Sequence, residues 1–318
     1  MSPHAPPLVS VLMLTHNHAP YLQKAIASVQ AQTWTHWELL IGEDASTDTT
    51  ALIASAAVAS HPARIQVLSS PEGALGFHRN FARLLARASG EYVAFLEGDD
   101  WWLEPTKLER QMSLLDADPS LAFCGARTRV VDERQAPTAA STPPEIGPPP
   151  GTSRLSFEQL IDSYGFHFSS VLMRREVVEL PSWIFEQYCL DRPLYLLAAS
   201  HGDAAVLDQV VSAYRLHDSG VWGPLSPLQK ARRSRALFRC FRRYFPVRHR
   251  RRFRIALSHI LWSYLADALC QGQRREALAI LAMGVAAAPG LRLRRQPRIT
   301  LGALRRSLIP PAARLPCR

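Results

Sequence analysis

The first hundred residues alternate short apolar runs, each ending in a polar or acidic turn, with segments of helical periodicity, and that alternation leaves few folds open. Val9–Thr15, Trp37–Gly42, Ile65–Ser69 and Tyr92–Leu96 have the length and composition of buried strands. Tyr21–Gln32, the alanine-rich Thr49–Ser60 and Gly76–Ala88 fit helices between them. This βαβαβαβ order predicts an α/β fold with a mostly parallel sheet flanked by helices on both faces. Ligands of such sheets bind beyond the carboxyl ends of the strands, so the turns that follow the strands are the places to search for function.

Further along, Pro105 opens a predicted helix at Thr106–Asp116, and Leu121–Val131 reads as a strand. Six prolines between Pro137 and Pro150 predict a surface loop. Phe168–Met173 returns to strand character, Arg175–Leu180 to a short helix and Asp191–Ser200 to a longer one, followed by strand-like Ala204–Leu207 and Val210–Tyr214.

Beyond Pro227 the character changes. Phe238–Arg254 is dense in arginine and aromatic residues, and Ile255–Cys270 with Arg275–Ala287 predicts a helical hairpin joined by Gln271-Gly272-Gln273, resembling a single tetratricopeptide-like unit. The last twenty residues, with Pro310, Pro311 and Pro316, predict little regular structure. Residues 1–225 carry 15 Lys/Arg against 25 Asp/Glu, whereas 226–318 carry 22 against 2. The chain thus divides into an acidic domain at 1–225 and a basic α-helical region at 226–318, which face different partners or each other.

Composition narrows the classes. A hydrophobic content of 47% supplies a core and excludes a disordered chain. The longest apolar runs, such as Ala277–Ala288, fall short of a membrane span, and no basic segment followed by an apolar one opens the chain, so a cytoplasmic location is the expectation. Cys124, Cys189, Cys240, Cys270 and Cys317 have neither metal-ligand spacing nor an even count, which argues against a disulfide framework.

Three turns hold the candidate chemistry. Glu97-Gly98-Asp99-Asp100 sets three carboxylates directly after a buried strand, where like charges repel and a hard divalent cation bridging to phosphate relieves them. Mg²⁺ or Mn²⁺ with a diphosphate suits that all-oxygen chemistry, and an acidic helix cap is the alternative. Glu43-Asp44 follows a second strand and offers acceptors for a base N–H or ribose hydroxyls, while Ser46 or Asp48 can cap the next helix. Thr15-His16-Asn17-His18 ends the first strand.

These residues carry a resemblance. Val9-Ser10-Val11 through Thr15-His16-Asn17, Ser28 to Trp34, Trp37 to Asp48, Arg79-Asn80, and Ala88 to Asp100 resemble, in order and spacing, the nucleotide-binding half of family 2 glycosyltransferases. The resemblance implies a GT-A fold, a nucleotide diphosphate sugar donor, a divalent metal and inversion at the anomeric carbon. It implies donor contacts at Thr15, Asn17, Glu43, Asp44, Arg79 and Asn80, with Asp44 at the base, Glu97 at the ribose and Asp99 on the metal. Asp100 is either an indirect metal contact or a structural group. Two positions depart from the family pattern: the common Asp-Asp-Gly-Ser stretch is Glu43-Asp44-Ala45-Ser46 here, and Glu97 replaces an Asp.

In the second half, Phe166 to Arg174 resembles the family's acceptor-side strand, and Leu190 to Leu196 the segment that supplies the catalytic base, which makes Asp191 the candidate; a helix cap before Pro193 is its plainer role. Tyr214 to Trp222 resembles a stretch near the diphosphate. Arg215 and His217 alternate along an extended chain and reach the same side, toward phosphate, with a metal ligand as the other role for His217. An inverting transfer needs one base on the acceptor side.

The expected function is transfer of a sugar, from UDP-sugars first, to an acceptor hydroxyl of a glycan or lipid-linked acceptor in cell-surface polysaccharide or glycolipid synthesis. The alternatives are a catalytically silent sugar-nucleotide or glycan-binding protein on the same fold, and a nucleic-acid-binding protein acting through the basic region. Arginine runs also dock on anionic membranes, so peripheral contact with the inner face of the membrane is expected ahead of nucleic acid.

Overall fold

All seven residues of β1 (Val9–Thr15) are buried, as a branched apolar run requires of a central strand covered on both faces. This strand organises a computed structural model that describes residues 8–70, 72–132, 145–162, 165–217 and 225–287. The chain continues through α1 (Leu22–Gln30), β2 (Trp37–Glu43), α2 (Thr50–Ser60), β3 (Ile65–Ser69), α3 (Phe77–Arg87) and β4 (Tyr92–Glu97). Strands β3, β2, β1 and β4 lie side by side, all parallel. The register sets Thr15 opposite Glu43 and Leu14 opposite Glu97, so the turns after β1, β2 and β4 emerge at one edge. Gly42 lets α3 come close: a Cβ there would collide with the Asn80 side-chain oxygen.

Past β4 the sheet becomes mixed. The elements are β5 (Trp101–Trp102), α4 (Lys107–Ala117), β6 (Leu121–Val131), β7 (Glu145–Ile146), β8 (Arg154–Leu155), α5 (Phe157–Asp162), β9 (Leu172–Arg174), α6 (Asp191–Ala199) and β10 (Asp203–Arg215). The order is β3-β2-β1-β4-β9-β6-β10-β5, with β9 antiparallel to both neighbours, β10 parallel to β6, and β5 antiparallel to β10. The predicted strand Phe168–Met173 opens instead as a 3₁₀ turn at Phe168–Ser170, and its pairing begins at Leu172. Local bonds outcompete the ladder there, because His167 Nδ1 accepts the Ser169 amide at 3.3 Å and the Ser170 hydroxyl donates to the His167 carbonyl at 2.8 Å. Stacking of Phe168 on Phe95, centroids 4.7 Å apart, pins this turn beside β4. The helix expected at Arg175–Leu180 is one 3₁₀ turn, Arg175–Val177. The two expected strands after α6 are one strand, β10, whose register shifts between Leu207 and Val210, around an exposed Asp208 that accepts the Gly151 amide at 2.9 Å.

A buried lysine ties α4 to this half. Lys107 Nζ donates to Gln111 Oε1 at 2.8 Å and lies 4.3 Å from the Trp102 ring centroid. Gln111 donates onward to the carbonyls of Cys124 and Ser170, and Trp102 Nε1 to that of Ser169. Burial pushes the Lys107 ammonium down to about 7. A lowered lysine carries its full penalty below the folded value and is relieved as pH rises from there toward the unfolded value. Lys107→Met is therefore expected to stabilise the protein at neutral pH by about 1–3 kcal/mol and to flatten the rise of stability between about pH 7 and 10.5. Urea unfolding across that range checks it, and a loss of stability throughout would mean that the Gln111 and Trp102 contacts outweigh burial.

The contacts divide the chain into two units, one within residues 1–160 and 164–216, the other within 161–163 and 217–318. The second contains α7 (Pro227–Tyr244), α8 (Arg250–Cys270) and α9 (Arg274–Ala287). The predicted hairpin corresponds to α8 and α9, with α8 starting earlier, at Arg250. The arginine-aromatic stretch supplies the end of α7 and the start of α8. A capping box starts α7: Ser226 Oγ accepts the Gln229 amide while the Gln229 side chain accepts the Ser226 amide. Residues 133–144 of the proline-rich segment, Asp218–Trp222 and the last twenty residues lie outside the described residues.

Candidate functional site

The turns after β1 and β2 are stapled together. Asn17 sits in the left-handed region at φ 55°; its amide donates to Ser46 Oγ at 2.9 Å, and its Oδ1 accepts the Thr47 amide at 2.8 Å. His16 Nδ1 donates to the Asp44 carbonyl at 2.7 Å, which leaves Nε2 to accept from Asn17 Nδ2. Ala45 also takes φ 55°, a conformation glycine adopts at no steric cost, so its side chain stores strain of about 1 kcal/mol. Asp48 Oδ1 accepts the Thr50 amide at 2.9 Å as α2 begins, and its Oδ2 the Ala19 amide at 3.1 Å.

Glu43 and Asp44 are both buried, and both carboxylates accept backbone amides. Glu43 Oε1 takes the Ser46 amide at 2.6 Å; Asp44 takes those of Leu75 and Gly76 at 2.7 and 2.8 Å, which ties the loop before α3 to this turn. Asn80 is buried, its Nδ2 donating to the Gly42 carbonyl at 2.8 Å, whereas Arg79 is exposed. The arginine that reaches this turn is Arg83, which donates to the carbonyls of Glu43 and Ser69 and to Asn80 Oδ1, all at 2.8 Å. Sequence reasoning missed it; its spacing, one helical turn beyond Asn80 on the same face, was the available signal.

The third turn passes against the first. A Cβ on Gly98 would lie 2.7 Å from Thr15 Oγ1 and 2.9 Å from His18 Nδ1, so glycine is what allows the approach. Thr15 Oγ1 is buried and has no hydrogen-bond partner among the described residues. Asp99 faces His18, with 3.6 Å between Oδ2 and Nε2. Asp100 is buried, Oδ2 accepting the Ser169 hydroxyl at 2.6 Å and Oδ1 the Arg215 amide at 3.0 Å. Its carboxylate, that of Glu97 and the His167 ring offer one ligand atom each within 4.8 Å of one another. That is the group of this kind among the described residues, and it contains neither Asp99 nor His217, which falls in the second unit. His167 and Ser169 were read in the sequence as part of a strand; the 3₁₀ turn is what aims them at the acids.

Burial, then repulsion from neighbouring carboxylates, raises Glu97 and Asp100 well above the ordinary range. Asp99 acts on both, and Asp191 is among the carboxylates acting on Glu97. Burial also holds Asp191, the first residue of α6, up to about 6, and holds His167 down to about 4. Arg215 is buried, its Nε donating to the Asp99 carbonyl at 3.0 Å and its guanidinium lying 4.4 Å from the Tyr21 ring and 4.8 Å from Trp101. Crowded carboxylates with raised proton affinity, an unsatisfied buried hydroxyl and hard oxygen donors are what a divalent cation such as Mg²⁺ or Mn²⁺ relieves.

Residues 10–180 match the family described as Glycosyl transferase family 2. An uncharacterised protein of Mycobacterium tuberculosis is 30% identical over 217 residues, 67% of this chain and 60% of that relative, so this chain spans less than two thirds of the relative's length. The Escherichia coli protein named UDP-Glc:alpha-D-GlcNAc-diphosphoundecaprenol beta-1,3-glucosyltransferase WfgD is 28% identical over 219 residues, 67% of this chain and 79% of its own. Among solved structures, the mannosyltransferase PcManGT from Pyrobaculum calidifontis, in complex with GDP-Man and Mn²⁺, superposes with a TM-score of 0.60 over 96% of this chain and 88% of that one, at 19% identity. That likeness is one of fold: a GT-A-type sheet flanked by helices.

Proposed function

Because the chain belongs to glycosyl transferase family 2, we propose that it moves a sugar from a nucleotide diphosphate sugar, UDP-sugars first, to an acceptor hydroxyl with inversion at the anomeric carbon. The observation that carries this reading is the meeting of acids from separate elements, Glu97 at the end of β4, Asp100 in the turn after it and Asp191 on α6, with His167 beside the first two. In our assignment the stapled turns at Thr15, Asn17, Glu43, Asp44 and Asn80 receive the nucleoside, with Arg83 setting the backbone of Glu43. A divalent metal would be held by carboxylates of Glu97, Asp99 and Asp100, and when bound it supplies charge stabilisation for the leaving diphosphate. Asp99 keeps the leading part in this assignment, and the closeness of Glu97 and Asp100, within 4.8 Å of each other and of His167, supports placing them beside it. Arg215, stacked beside the same turn, contributes a fixed positive charge.

Asp191 takes the acceptor proton. The acceptor oxygen bonds to the anomeric carbon as the bond from that carbon to the diphosphate oxygen breaks, and the proton ends on the Asp191 carboxylate. We assign the chemistry to residues 1–225 and a supporting role to 226–318. No helix among the described residues is long and apolar enough to cross a membrane. As part of the same proposal we set the enzyme in the cytoplasm, using a glycan or lipid-linked acceptor for cell-surface polysaccharide or glycolipid.

A panel of UDP-, GDP-, CDP- and dTDP-sugars with Mn²⁺ tests it. One donor should stabilise the protein in a thermal-shift assay, by about 2.7 kcal/mol at a hundredfold excess over Kd, and be hydrolysed slowly without acceptor. Asp99→Ala should lose the hydrolysis. Neither binding nor turnover of any donor, with wild type matching Asp99→Ala, would favour a silent binding protein.

A further inference from the structure

The acidic turns leave α7 without a task. It buries Pro227, Ala231, Ser234, Leu237, Phe238 and Phe241, and the rings of Phe238, Phe241, Phe245 and Phe253 pack at centroid distances of 5.4–6.2 Å. On the opposite side Arg232, Arg235, Arg239 and Arg243 are all exposed. At 3.6 residues per turn these four fall within an arc of about 80° and extend along about 16 Å of the helix. They form one stripe.

Among the described residues no contact accounts for the stripe. Arg235, Arg239 and Arg243 follow one another at i, i+4, a spacing at which like charges oppose helix formation. The helix dipole favours cations only in the last turn, which explains Arg243 alone of the four. Among the described residues no acidic side chain forms an ion pair with any of them. Residues 226–318 contain only two acids, Asp267 and Glu276. Glu276 accepts the Leu228 amide at 2.9 Å, and Asp267 is set against Lys230. Just past the stripe, Tyr244 is 45% and Val247 67% exposed, with Arg248, Arg250 and Arg251 exposed after them.

We propose that the arginine stripe of α7, together with Tyr244 and Val247, docks this chain on an anionic lipid bilayer. Guanidiniums in a row match a layer of headgroup phosphates, and an exposed aromatic ring and an exposed branched apolar side chain at the end of that row suit the boundary just beneath it. A nucleic acid offers the same phosphates and a partner for Tyr244, but gives exposed Val247 nothing to bury in. The inference extends the proposed function, because a lipid-linked acceptor presents its hydroxyl at such a surface.

Co-sedimentation of the full chain with vesicles tests it, using phosphatidylcholine alone and phosphatidylcholine with phosphatidylglycerol. Binding is expected only to the anionic vesicles and should weaken as salt is raised. Each basic side chain near such a surface contributes about fivefold, so Arg232→Gln, Arg235→Gln, Arg239→Gln and Arg243→Gln combined should weaken binding at least about 100-fold, with the donor thermal shift unchanged. Val247→Ser should weaken vesicle binding without affecting any binding of a single-stranded oligonucleotide. Equal binding to both vesicle types, a fourfold variant that binds like wild type, or oligonucleotide binding without vesicle binding would each overturn the proposal. Vesicle binding lost in the variant, but with no donor recognised by either protein, would retain the docking and reject the transferase reading.

Discussion

Asp191→Asn is expected to lower kcat by about 10²–10⁴-fold while leaving the donor's thermal shift intact. Asp191 is not the helix cap that its sequence position also suggested: Leu190 is the N-cap of α6, so a merely structural Asp191 would serve through its local bond to the backbone. In the fold Asp191 Oδ1 accepts the Arg192 amide at 2.8 Å, a bond that asparagine keeps. A general base cannot be replaced in that way, because the amide does not take the proton. Burial holds the Asp191 carboxyl up to about 6, which adds a pH signature. A base works only when ionised, so transfer by wild type should fall about tenfold per pH unit below about pH 6, and the residual rate of Asp191→Asn should lack that limb. Transfer surviving within about threefold would mean that another group accepts the proton.

Glu97→Gln is expected to raise the melting temperature of the metal-free protein by about 2–4 °C and to remove most of the stabilisation that Mn²⁺ gives wild type. The reason is the crowding of Glu97 with Asp99 and Asp100 in one turn and with Asp191 of α6. A carboxyl whose folded value is raised destabilises the fold above that value and ceases to do so below its unfolded value. Metal-free stability should therefore climb as pH falls through the raised range. A cation that needs ionised ligands should stabilise more at pH 7.5 than at pH 5. Differential scanning fluorimetry at both pH values, with and without Mn²⁺, measures all three effects. An unchanged Mn²⁺ increment in Glu97→Gln would leave Glu97 out of the metal's surroundings, and the same assay on Asp99→Asn and Asp100→Asn would apportion the remainder.

Much of the first half was legible because its signals are local. β1, β2, β3 and β4 follow from apolar runs bounded by polar turns, and parallel pairing then brings Thr15, Glu43 and Glu97 to one edge without further information. The second half was less legible because there the deciding bonds are long-range or compete with propensity. Phe168–Ser170 has strand composition, yet the bonds of His167 to Ser169 and Ser170, with the Ser169 hydroxyl on Asp100, hold it as a turn. β5 is two tryptophans long, too short for any period to register. The start of α7 was readable in Ser226-Pro227-Leu228-Gln229, a capping box that the arginine density beyond it obscured.

The amino-acid sequence by itself determined the alternation of strands and helices, the acidic turns at their ends, the contrast between an acidic and a basic region, and the family to which these belong. Each depends on neighbouring residues and on period, which a linear chain displays. Only the tertiary structure decided which side chains share a site: that Arg83 reaches the Glu43 turn while Arg79 is exposed, that His167 joins Glu97 and Asp100, and that four arginines line one face of α7. Those groupings depend on distances across 40 to 70 residues of chain, as between Arg83 and Glu43, where |i−j| is 40, and between Asp100 and Ser169, where it is 69, or on which face packing leaves to solvent. Neither is set until the core has closed.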